Sequence, residues 1–169
     1  MNPIGLTDST VFIVGGDTTL GRLVAMHFVR AGTQRVGIIG SDTERAEGVA
    51  REVFAAASGI WAVAAAGDLS SVSDAQRMVS ELAAALGDPD ILVSCQPDAD
   101  AVSDLVKQSM HDRNEGVVIE VDDVRGERVD RGVTTCAVPA DAGLPAEEIA
   151  AAIVQAALNA RTSSDAGAP

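Results

Sequence analysis

Aliphatic runs closed by glycine alternate with stretches of helical periodicity along most of the chain. Thr10–Val14 is a continuous apolar run that stops at Gly15–Gly16, the pattern of a strand covered on both faces. Leu20–Ala31 places Leu20, Leu23, Val24 and Phe28 at helical spacing, and Gly32 closes that helix. Val36–Ile39 reads as a second strand ended by Gly40. Asp42 or Thr43 then caps a helix whose apolar face is Ala46, Val49, Ala50, Val53 and Phe54. Trp61–Ala66 is a third strand, and Ser73–Leu86 a third helix, capped by Ser71 or Ser73 and stopped at Gly87. After the Asp88–Pro89 turn, Ile91–Cys95 is a fourth strand. This order predicts a Rossmann-like, doubly wound α/β fold in three layers, α/β/α, with a mainly parallel sheet of about six strands.

After Pro97 the rhythm changes. Asp98–Met110 is a weakly amphipathic helix, Val117–Val121 a fifth strand and Val133–Val138 a sixth. Only Asp122–Gly132 joins these two strands, shorter than the dozen or more residues a parallel crossover ordinarily takes. Parallel pairing through an extended link is the expectation, antiparallel pairing the alternative. Pro145 opens a last helix to about Asn159, with Ile149, Ile153, Val154, Ala157 and Leu158 as its apolar stripe. Residues 1–160 read as one domain and 161–169 as a flexible tail.

Composition sharpens this picture. Nearly half the residues are apolar (47%), yet the aromatic residues are only Trp61, Phe12, Phe28 and Phe54, with no tyrosine anywhere. The core is therefore aliphatic, which suits buried parallel strands. A net charge of −13 repels phosphate backbones and anionic lipid, so nucleic acid and membrane are excluded as partners. With no apolar run of membrane-spanning length and no basic-then-apolar start, the expectation is a cytoplasmic protein. Cys95 and Cys136 sit in strand-like runs and read as reduced core thiols. No Cys/His spacing suggests a metal. His27 reads as a core or boundary residue, His111 as part of a polar turn. Asp122–Asp123 reads as a loop face and Glu147–Glu148 as a helix N-terminus, where carboxylates are favourable.

The candidate chemistry lies in the first β–α turn, Val14-Gly15-Gly16-Asp17-Thr18-Thr19-Leu20-Gly21. Glycines between a strand and a helix allow a tight turn and a close backbone approach. The free N–H groups at the helix start then face a pyrophosphate, or the loop is a tight turn that binds nothing. At the end of the second strand, where an acid would bond a ribose 2′-hydroxyl, stand Gly40 and Ser41. That leans toward NADP or toward no dinucleotide, with Asp42 near enough to leave NAD open. Ser41 and Asp42 as helix-capping residues are the plainer alternative.

Val14–Gly21 resembles the TGxxxGIG loop of the short-chain dehydrogenase/reductase family. Gly67-Asp68-Leu69 is similar to that family's adenine-contacting Asp-Leu pair, and Asp90–Pro97 (DILVSCQP) to its DILVNNAG segment. Gly116–Gly126 follows its GxIVNISSxxG pattern, and Val138-Pro139 its Pro-Gly after the sixth strand, with Ala140 in place of the glycine. The resemblance implies a cofactor site of Gly15, Gly16, Asp17, Thr18, Leu20, Gly21, Ser41, Asp68 and Leu69, for NADP, NAD or no dinucleotide at all.

The departures carry equal weight. Thr19 replaces the middle glycine, Ser94-Cys95-Gln96-Pro97 replaces Asn-Asn-Ala-Gly, and Asp123 stands where the pattern has its catalytic serine. The Tyr-x-x-x-Lys segment is missing. Carbonyl reduction needs a proton donor at the developing alkoxide, and an ionised Asp123 would repel it. The chain thus resembles a shortened, degenerate family member with no catalytic residues, a pseudoenzyme acting as a structural, regulatory or dinucleotide-sensing subunit. The alternative is an NAD(P)-dependent oxidoreductase completed by a partner chain or by an acid such as Asp123. The expected partners are further copies of itself or a complete family member, and the flank exposed by the shortening is the expected partner surface.

Overall fold

A computed structural model describes residues 6, 9–96, 100–121, 126–130, 133–138 and 144–166; of 126–130 and 161–166 the backbone alone is considered. Twelve elements follow in order: β1 (Thr10–Val14), α1 (Thr19–Arg30), β2 (Arg35–Gly40), α2 (Thr43–Ala56), β3 (Trp61–Ala66), α3 (Val72–Leu86), β4 (Ile91–Ser94), α4 (Asp100–Arg113), β5 (Gly116–Val121), β6 (Gly126–Asp130), β7 (Val133–Val138) and α5 (Ala146–Ala166). They build a sheet of order β3-β2-β1-β4-β5-β7-β6, parallel except for the β6–β7 pair. The Rossmann-like α/β fold is as the alternation predicts, with one strand more.

The strands are apolar on both faces because both faces are covered. Val11, Ile13, Val36, Ile38, Ile91, Val93, Val117 and Ile119 point toward α1, α2 and α5. Their neighbours Phe12, Val14, Ile39, Leu92 and Val118 point the other way, toward α3 and α4. Alternate residues of each strand thus feed two cores, as the two-residue pleat requires. Gly37 lacks the Cβ that would meet Phe12 at 2.8 Å, so the larger ring lies across it.

The short link between β5 and β7 avoids a helix by a different route. Eleven residues, 122–132, separate Val121 from Val133, and five of them form β6. That strand is the return leg of the crossover, pairs antiparallel with β7 and occupies the sheet edge. β7 then fills the slot between β5 and β6, parallel to β5. Residues 122–125, Asp123 among them, and residues 97, 139 and 140 lie outside the described residues.

Several boundaries move. Ser71 and Asp42 are the caps that accept from Asp74 and Arg45 N–H. The last helix runs through Ala166, past Asn159 and through most of the expected tail. Phe54, assigned to the apolar face of α2, is 63% exposed, and Trp61 is 65% exposed. With Val72 they place three of the four large exposed apolar side chains among the described residues on α2, β3 and the start of α3, beside the β3 edge; the fourth, Leu144, precedes α5. This is the sheet edge opposite the shortened segments. On the other side α4 and α5 bury Val106, Met110, Ile149 and Ile153.

Among these contacts, Asp90 ties the centre of the sheet. Its carboxylate Oδ2 accepts from Thr10 N–H at 2.9 Å, its own N–H donates to Thr10 O at 2.9 Å, and its carbonyl accepts from Val117 N–H at 2.9 Å. Asp90→Ala leaves the first N–H of β1 without its acceptor. The variant should lose about 1–3 kcal/mol of unfolding free energy in a denaturant titration.

Candidate functional site

The sheet order reverses between β1 and β4, and a doubly wound sheet opens its crevice at that switch, beyond the carboxyl ends of the strands. The β1–α1 loop lies there. Gly15 takes φ +79°, and the N–H groups of Gly15 and Gly16 both donate to Ile39 O, at 2.8 and 3.1 Å. A Cβ on Gly21 would sit 2.1 Å from Gly15 O and 2.6 Å from Gly16 Cα, so α1 begins pressed against the loop. Only glycine permits that approach.

Thr18 is the N-cap: its hydroxyl accepts from Gly21 N–H at 3.0 Å and donates to Gly15 O at 2.6 Å. The N–H groups of Thr19 and Leu20 have no acceptor among the described residues. They are orphan donors at the positive end of a 12-residue helix. These donors could hold an anionic group, and the residues present fit a pyrophosphate.

A cavity of about 460 Å³ adjoins it, lined by Ser41, Gly67, Asp68, Leu69, Ser70 and Gln96. It brings together three of the residues the resemblance selects, Ser41, Asp68 and Leu69, at the ends of β2 and β3. Leu69 is mostly core, 8% exposed. Asp68 is fully solvated and tied locally. Its Oδ1 accepts from Ser70 Oγ at 2.7 Å and Ser70 N–H at 3.0 Å, and these bonds hold its carboxyl below the ordinary 3.8. The N–H of Asp68 donates to Asp74 Oδ2 at 2.7 Å, and Arg77 Nη2 donates to Ala66 O at 2.8 Å. Two side chains of α3 therefore hold the end of β3 in place.

Asp17 does not face the pyrophosphate cradle. Its Oδ2 accepts from the N–H groups of Ser41 and Asp42, each at 3.0 Å, so the loop after β1 reaches across to the end of β2. Gln96 was not singled out as a site residue, yet it is central. Its Cγ lies 2.8 Å from where a Gly15 Cβ would be, and its buried Oε1 has no partner among the described residues. The cue available was its place two residues past β4, at the switch. Asp74 and Arg77 were also missed; their cue was the i, i+3 spacing on the first turns of α3.

Gln96 also walls a second cavity of about 220 Å³, lined by Ser94, Asp100, Ser103, Lys107, Glu120 and Val121. Lys107, on α4, donates to Glu120 Oε1 on β5. The remaining candidates settle into structural places. His27 Nε2 and Glu147 Oε2 are 2.6 Å apart, joining α1 to the first turn of α5, and this bond lowers the Glu147 carboxyl. Neither cysteine is in a disulfide; Cys136 is buried, Cys95 is half-buried, and burial pushes the Cys95 thiol up to about 12. Among the described residues no group of three potential ligands could hold a metal, and no helix is long and apolar enough to cross a membrane.

The family described as short chain dehydrogenase matches residues 9–97. A metagenomic short-chain oxidoreductase solved in complex with NADP is 18% identical, covering 94% of this chain and 93% of that one, with a TM-score of 0.73. A short-chain dehydrogenase/reductase from Mycobacterium marinum is 20% identical over 70% of this chain and 57% of that one, TM-score 0.61. L-sorbose reductase from Gluconobacter frateurii, complexed with NADPH and L-sorbose, is 16% identical over 72% and 54%, TM-score 0.62. The chain thus spans little more than half the length of the last two. A search of curated proteins finds no match.

Two outcomes test this geometry. Gly21→Ala should cost about 1–3 kcal/mol or more in unfolding free energy, because backbone and not a movable side chain stands in the way. Ser70→Ala should raise the Asp68 pKa toward 3.8 in an NMR pH titration. The stabilisation from these bonds is present above 3.8 and fades as pH falls through the lowered value, so wild type and variant should converge in strong acid.

Proposed function

Because the chain belongs to the short-chain dehydrogenase family, matched over residues 9–97, we propose that it binds a nicotinamide dinucleotide without turning it over, as a sensing or structural subunit. The observation that carries this reading is the link between β5 and β7. In the family the resemblance invokes, a helix bearing Tyr-x-x-x-Lys occupies that interval. Here eleven residues, DDVRGERVDRG, make the whole crossover, with neither tyrosine nor lysine among them. A hydride acceptor's oxygen then lacks the acid that family supplies.

The binding half supports the other side of the proposal. The Gly21 contact, the orphan N–H groups of Thr19 and Leu20 and the cavity lined by Ser41 and Asp68 are arranged on β1 to β4, and structurally similar proteins have been solved in complex with NADP or NADPH. The reading also includes assembly with a second copy or with a complete family member, which would cover Phe54 and Trp61. The second cavity favours one other reading. Lys107 and Glu120 beside Ser94 leave room for a partner-completed oxidoreductase.

Calorimetric titration of the purified chain with NADH and NADPH, followed by a carbonyl-reduction assay, separates these. Saturable binding without turnover is the expected result. Turnover by the chain alone defeats the proposal, and turnover only after adding a complete family member selects the second reading.

A further inference from the structure

We propose that Asp17 is a specificity-determining residue that makes this site select an adenosine ribose with a free 2′-hydroxyl, NAD(H) rather than NADP(H). The inference rests on the dinucleotide-binding reading above and assigns its ligand class.

In a doubly wound fold the 2′ position of the adenosine ribose lies at the end of β2. Here the groups at that place are Gly40 and the first N–H groups ahead of α2, those of Ser41 and Asp42. Two adjacent N–H groups at the start of a 14-residue helix are the donors a 2′-phosphate would use. Both already donate, at 3.0 Å each, to one carboxylate oxygen of Asp17. The space for that carboxylate comes from Gly40, where a Cβ would stand 2.5 Å from Asp17 Cγ. An internal anion therefore holds the anion site.

Asp17 Oδ1 adds an independent observation. It is buried and has no donor among the described residues. A buried acceptor in deficit is relieved by a hydroxyl, which donates, and aggravated by a phosphate, which does not. A phosphomonoester carries close to two negative charges at neutral pH, and placing it against a carboxylate costs Coulomb energy as well. Two cations line the adjoining cavity with Asp17, Arg22 and Arg45. Arg22 is committed to Glu52 at 2.6 Å. Arg45 has no ion pair among the described residues and is the group a 2′-phosphate would recruit once Asp17 is gone.

The sequence pointed the other way. No acid follows β2 at the expected place, which leaned toward NADP or no dinucleotide. The acid is delivered from the β1–α1 loop, 24 residues upstream of Ser41.

The test is calorimetric titration of NADH and NADPH into the full chain and into Asp17→Ser and Asp17→Asn, each confirmed as folded by circular dichroism and thermal melting. Wild type should bind NADH tighter than NADPH by about ten-fold or more. Asp17→Ser should raise NADPH affinity by about ten-fold, with a smaller change for NADH, because it frees both N–H groups and leaves Arg45 in place. Asp17→Asn, neutral and of the same shape, should fall between. Preference for NADPH in wild type, or a ratio that neither variant moves, overturns the proposal while dinucleotide binding stands. Failure of all three forms to bind either nucleotide overturns it together with the reading on which it rests.

Discussion

The entry of α1 against its own loop is the contact on which the rest of the site depends. A side chain of even one carbon at position 21 would stand 2.1 Å from Gly15 O, a distance no packing adjustment absorbs. That proximity aims the Thr19 and Leu20 N–H groups outward, allows Thr18 to cap the helix, and sends Asp17 sideways toward β2. The middle glycine expected from the family's loop is Thr19, yet the first and last glycines carry the steric demand. The replacement leaves both close approaches in place, since position 19 is already the first residue of α1.

Local physics made most of the fold legible. Apolar runs marked β1 to β5 and β7, the first three of them closed by glycine, and apolar spacing with caps marked the helices, since both signals arise within a few residues. β6 escaped because GERVD has neither an apolar run nor a clear alternation; it is a strand through pairing with β7 alone. Phe54 was misjudged for a related reason. Its hydrophobicity is a property of the residue, whereas its exposure follows from lying beside the open β3 edge.

The site was legible only in part, and the divide follows sequence distance. Glycines of one loop and the Asp68–Ser70 turn are short-range features and could be read directly. The reach of Asp17 to Ser41 and Asp42, and the packing of Gln96 over Gly15, join residues from different strands. Such meetings are decided by strand order, and β4 lies beside β1 only because the sheet reverses there. An acid that seemed absent from β2 was thus present in space.

The same strand order keeps the β1–α1 loop apart from the shortened crossover. That loop, the cavity at the ends of β2 and β3, and Asp17 belong to β1, β2, β3 and their loops, and Gln96 follows β4. The reduced crossover belongs to β5, β6 and β7, on the far side of β4. Replacing a crossover helix by an antiparallel strand leaves β5 and β7 parallel over six paired residues, so the sheet and α5 keep their seats. What goes with that helix is whatever it carried toward the crevice. A shortened crossover and a tightly packed β1–α1 loop therefore require no compromise in folding, because they lie on different strands of the sheet.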